Sequence, residues 1–130
     1  MSDNMKKFNE WVAKILKHLY SVFPIEDAFD ASEMTGENEL EKNEIFIGTM
    51  QFLNCEGYIR FKEKIYGGGR SYRQVALTAK GLSILNSSID SLEIKEPFIN
   101  KLKGALKSGS SVAITAAVQG FVQAQIPKSN

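Results

Sequence analysis

Cysteine and histidine are almost missing from this chain, with one of each in 130 residues. Cys55 alone cannot close an internal disulfide, and His18 alone cannot build a multi-histidine metal site. No metal or other cofactor is therefore expected, and a reducing, cytoplasmic setting fits the composition best. Long apolar runs are lacking as well. Near the start, "FNEWVAKILKHLY" is interrupted by charges and does not read as an export signal. Near the end, "VAITAAVQGFVQAQI" is broken by Thr115, Gln119, Gln123 and Gln125, too short and too polar to span a bilayer, so no membrane partner is expected. The formal net charge is only +1, which argues against indiscriminate nucleic-acid binding. Neither a Ser-His-Asp set, a Cys-His pair nor a close pair of catalytic carboxylates emerges, so the chain is read as a non-enzyme.

What is there is periodicity. Phe8, Val12, Ile15, Leu16 and Leu19 form one stripe of an amphipathic helix over about 4–20, which Pro24 ends. "DASEMTG" is expected to make a short helical turn capped by Asp30 or Ser32. Asn38 and Glu41 form a variant capping box for a third helix reaching Cys55, with Leu40, Ile45, Phe46, Thr49, Met50, Phe52 and Leu53 as its apolar face and Gly57 as the αL residue past its end. The period then falls to two. "YIRFKEKI" alternates Ile59, Phe61 and Ile65 with Arg60, Lys62 and Lys64, and "SYRQVAL" adds Val75 and Leu77, so two strands joined through "YGGGR" make a hairpin. Thr78 caps the next helix, with Leu77 and Leu82 as a hydrophobic staple. "EPFINKLKGALK" starts another at Pro97, "SGSS" breaks it, and a last helix over about 111–126 aligns Ile114, Ala117, Val118, Phe121 and Val122.

Helix, short helix, helix, two-stranded hairpin, helix is the order of a winged helix-turn-helix. From about Ile15 to Leu85 the chain resembles that superfamily. "FLNCEGYIRF" followed by "VALTAKGLSIL" is similar to the helix-wing-helix passage of MarR-like and PadR-like regulators, on Gly57-Tyr58-Ile59 leaving a helix and Leu77-Thr78 with Gly81 entering one. In the wing it departs from the MarR pattern, offering Gly-Gly-Gly-Arg-Ser where an Asp-Arg pair stands. The resemblance implies an α+β fold: a three-helix body plus wing over residues 1–90, and a two-helix C-terminal extension over 91–130 in the same compact unit. Regulators of this build commonly dimerise through such helices. Ile114, Val118, Phe121 and Val122 are the expected seam of a homodimer, against the alternative that this helix folds back over the first within one subunit.

The glycines do not make a phosphate-binding loop. Gly67, Gly68 and Gly69 are followed by Arg70, Ser71 and an extended "YRQV" instead of a helix N-terminus, so a hairpin turn is expected. Charge is segregated along the chain. From Tyr58 to Lys80 the bases are Arg60, Lys62, Lys64, Arg70, Arg73 and Lys80 against Glu63, an excess of five. From Glu26 to Glu44 eight acids face Lys42 alone, an excess of seven of the other sign. If duplex DNA is the partner, Arg60, Lys62, Lys64, Arg70 and Arg73 are expected on phosphates, with Gln51 and Asn54 reaching base edges. The acidic start of the third helix would repel a phosphate backbone, so the other reading is a protein-interaction module whose acidic helix face meets a basic partner. Cys55 is expected to be a small packed side chain, and His18 a surface or boundary residue. The aromatic set Tyr58, Phe61, Tyr66 and Tyr72 is mostly what strands prefer, with Tyr66 and Tyr72 near the hairpin tip also open to partner contact.

Overall fold

The computed structural model describes residues 3–35, 40–66, 69–87 and 96–123. Among them are six helices and a three-stranded antiparallel sheet, an α+β architecture in the order α1 (Asp3–Val22), β1 (Asp27–Asp30), α2 (Ala31–Thr35), α3 (Leu40–Cys55), β2 (Ile59–Tyr66), β3 (Gly69–Leu77), α4 (Ala79–Asn86), α5 (Phe98–Ser108) and α6 (Ser111–Gln123). The Asn38 cap, the turn glycines Gly67 and Gly68, and the residues beyond Gln123 lie outside the described residues.

α1 is the axis of the core. Its stripe Val12, Ile15, Leu16 and Leu19 is buried, with Phe8 partly buried at one end. α3 crosses it through aromatic edges: Trp11 meets Phe46 at a centroid distance of 4.9 Å and Phe8 meets Phe52 at 5.2 Å. Beyond Val22 the chain turns through a cis Phe23–Pro24 peptide into β1, a strand that the residue pattern does not announce because only Phe29 of "DAFD" is apolar and buried. Asp30 Oδ1 then accepts from the backbone N–H of Glu33 at 3.4 Å and caps α2, as its residue type predicts.

The sheet has the order β1-β3-β2, so β3 is paired on both edges. Against β2 the register runs Arg60↔Ala76 and then Lys62↔Arg73; against β1 it runs Asp27↔Val75 and then Phe29↔Tyr72. Both neighbours advance two residues while β3 advances three, which identifies one bulge in the central strand. Gln74 is its strained member, with φ +56°. The extra residue leaves Arg73 and Gln74 both exposed and returns Tyr72 and Val75 to the same buried face.

α4 is launched from a joint between two chain segments. Gly57, past the end of α3, has φ +84°, and the Thr78 hydroxyl donates to the carbonyl of Gly57 while accepting from the Gly81 N–H at 3.0 Å. The helix passes so close to the segment leading into β2 that a Cβ at Gly81 would overlap the Tyr58 carbonyl oxygen. α5 begins after Pro97, which serves as its N-cap, and ends at Gly109 in the αL conformation. Ser110 Oγ accepts from the Ala113 N–H at 3.2 Å to cap α6.

The position of α6 corrects the expected dimer seam. Ile114, Val118 and Phe121 are 5%, 0% and 0% exposed, packed inside the protomer. The Phe121 ring lies 4.7 Å from that of Tyr58 and 6.3 Å from that of Phe98. Val122 is only half-buried against the same core. The fold-back alternative is the one observed: Thr115 of α6 meets Asn9 of α1, and Phe121 packs over the Tyr58 ring.

Candidate nucleic-acid interface

Alternation along β2 and β3 sorts the basic residues onto two faces. Glu63 pairs in register with Tyr72, a fully buried side chain that stacks edge-on against Phe61 at 4.8 Å and faces Phe46 of α3. Residues alternating with them, Lys62, Lys64 and Arg73, therefore occupy the opposite, outward face, and all three are exposed.

On the inward face, Arg70 Nη1 donates to Glu63 Oε2 at 2.7 Å, with both side chains about a quarter exposed. Hydrogen bonding to Glu63 holds the guanidinium even more firmly protonated than usual. Beside the pair, the Tyr72 hydroxyl is buried without a hydrogen-bond partner of good geometry. Its burial, reinforced by the Glu63 charge, pushes its pKa up to about 12. Tyr72 thus belongs to the core, as an ordinary strand aromatic, and the option of partner contact from its place near the hairpin tip is corrected. A cleft of about 260 Å³ lies between this face and α3, lined by Glu44, Ile47, Gly48, Gln51 and Arg70. Gln51 and Arg70 are thereby brought together, while Asn54 is exposed about one turn farther along α3. Cys55 is exposed as well, which corrects its expected packing: α3 turns its last residues outward before Gly57 redirects the chain.

On the outward face, Arg60 Nη1 donates to Glu26 Oε2 at 2.9 Å. The register sets Ala76 of β3 opposite Arg60, and Ala76 is 3% exposed although it points outward. Lys62 and Arg73 stand directly opposite each other across the hairpin, with Lys64 next to them opposite Ser71. No described ion pair holds any of the three, although Asp30 and Glu33 border the same shallow hollow as Arg73. Like charges directly opposite on a β-ladder are destabilising, and among the described residues no carboxylate is paired with this trio to offset that cost. Lys80 is committed elsewhere, donating to the Glu56 carbonyl at 2.8 Å and lying over the Tyr58 ring.

Two features that residue patterns missed concern acids. Glu26 and Glu63 were legible only as charge, yet each holds one arginine of the basic stretch. His18 is a surface residue as expected, but its role is to reach β1: Nε2 donates to Asp27 Oδ2 at 2.5 Å, and the ring leans on Phe29. That bond, helped by the Ala28 N–H, holds the Asp27 carboxyl below its usual pKa. Among the described residues no group of acids, His and Cys could hold a metal ion, and no helix is long and apolar enough to cross a membrane. No protein-family model, curated protein or solved structure matches the chain.

Proposed function

We propose that the chain is a winged-helix DNA-binding regulator, without catalytic activity, whose β2–β3 hairpin is the wing. The element order α1-β1-α2-α3-β2-β3 and the sheet order β1-β3-β2 support the winged-helix reading. The single observation that carries the DNA reading is the outward trio Lys62, Lys64 and Arg73, a cluster of cations without carboxylate partners on a hairpin that would be more stable without it. Phosphate oxygens supply the missing counter-charge. Arg60 and Arg70, each already bonded to a glutamate, are weaker phosphate ligands; Gln51 lines the α3 cleft on the other side of the hairpin from the trio, so base reading by Gln51 and Asn54 requires the duplex to extend past the hairpin to α3.

Binding of the full chain to random duplex DNA, measured by fluorescence anisotropy at low and moderate salt, tests this. Wild type should bind with an affinity that falls steeply as salt rises, and Lys62→Glu with Arg73→Glu should abolish it.

The protein-interaction reading is favoured by one observation, the exposed Glu44 at the α3 cleft, on the opposite side of the hairpin from the trio. Absence of DNA binding even at low salt would select it. Reversal of Glu37, Glu41 and Glu44 to lysine should then abolish capture of a basic partner.

A further inference from the structure

β2 is an outer strand of the sheet. The order β1-β3-β2 leaves one of its two edges without a neighbouring strand, and among the described residues no other backbone group bonds to it. An unpaired edge is a row of backbone donors and acceptors to which another strand can add. β2 runs for eight residues, Ile59–Tyr66, without proline or glycine, and the bulge of the hairpin lies in β3, so nothing in the β2 backbone turns this edge away. Its side chains are what set the terms of pairing. Lys62 and Lys64 are exposed on the outward face, with Arg73 of β3 directly opposite Lys62. On the other face Ile65 is 66% exposed, a large apolar side chain that nothing in the protomer covers.

We infer that the free edge of β2 takes an extended acidic segment of a partner protein, in which carboxylates alternate with apolar residues. The period of a strand dictates that pattern, because the residues of an added strand fall by turns on the face of Lys62 and Lys64 and on the face of Ile65. Carboxylates on the first face supply the counter-charge that no described residue provides, and apolar side chains on the second cover Ile65. The same lysines reject the competing strands. A second copy adding its β2 antiparallel to this one sets lysine on lysine, and a neutral strand leaves the charges as uncompensated as before. A docked acidic strand and a phosphate backbone compete for Lys62 and Lys64, which makes the edge a point of regulation. That consequence rests on the DNA reading above; the docking itself does not.

Calorimetric titration of the full chain with the peptide acetyl-Val-Glu-Val-Glu-Val-Glu-Val-amide tests the assignment. The peptide should bind saturably and slow amide hydrogen exchange within residues 62–65. A peptide with lysine in place of each glutamate should not bind, and neither should one that keeps the glutamates but carries proline in place of each internal valine. Lys62→Glu with Lys64→Glu should weaken binding at least about tenfold while keeping wild-type far-UV circular dichroism, since both side chains are exposed. No binding at millimolar peptide overturns the inference. Equal binding of the proline peptide overturns it as well, because charge alone would then suffice without strand pairing, and so does binding that survives the double charge reversal. In the anisotropy assay the valine-glutamate peptide should displace a bound duplex. A chain that binds this peptide but no DNA leaves the docking edge standing and removes the DNA reading, whereas one that binds DNA and not the peptide overturns the docking edge alone.

Discussion

Gly81 marks a close approach, since α4 meets the Tyr58 backbone just before β2 with no room for a methyl group. Gly81→Ala must push the helix off the Tyr58 carbonyl, at a cost of about 3 kcal/mol that urea unfolding would report. The same joint was visible in the residues Gly57, Thr78 and Gly81 because each carries a local geometric signal: a positive φ, an N-cap, a missing side chain. Cys55 and Tyr72 carried no such signal, and only tertiary packing decides that the first is exposed and the second buried. A second residue-scale prediction concerns Asp27. Its carboxyl is held below its ordinary value of 3.8 by the His18 hydrogen bond first and the Ala28 N–H second. The stability this contributes is fully present above that ordinary value and is lost as the pH falls through the depressed folded-state value. Asp27→Asn should therefore be less stable than wild type at neutral pH, with the difference closing in acid, as denaturant titrations across that range would show.

At the scale of elements, the bulge in β3 governs which hairpin residues face out. A left-handed conformation costs a side-chain-bearing residue about 1–2 kcal/mol, and the extra chain entropy of glycine takes back about 0.5–1. The first term is larger, so Gln74→Gly should stabilise the protein by about 0.5–1 kcal/mol in urea unfolding, while Gln74→Val should destabilise it. The helices were legible because their apolar stripes repeat over several turns, as Val12, Ile15, Leu16 and Leu19 do. β1 was not, since a four-residue strand with one buried side chain has no period to read. The bulge was equally hidden: "YRQVAL" contains no glycine at the position that adopts positive φ.

For the molecule as a whole, the segregation of charge was plain in the order of residues, but its neutralisation was not. Glu26 is 34 positions from Arg60, and pairing at that separation is a property of the folded sheet. Among the described residues three cations without an ion-pair partner, Lys62, Lys64 and Arg73, remain on the outward face, and if each holds one phosphate the logarithm of the DNA affinity should fall against the logarithm of salt concentration with a slope of about −3. Lys62→Ala should reduce that slope by about 0.9. A further whole-molecule prediction concerns α6. Ile114, Val118 and Phe121 are buried, each worth about 1.5–3 kcal/mol, so their joint removal costs on the order of 5–9 kcal/mol. That is comparable to the entire stability of an ordinary domain. A chain ending at Ser108 should therefore lose cooperative thermal unfolding, because the Tyr58 ring is stripped of its cover.

The seat of Phe121 against Tyr58 also fixes an order of events during synthesis. The hairpin emerges from the ribosome well before α6, so its foundation stays uncapped until that helix has been translated. Nascent chains stalled before Phe121 should remain open to proteolysis at the Gly57–Tyr58 joint, and chains whose α6 has left the ribosome should be protected there.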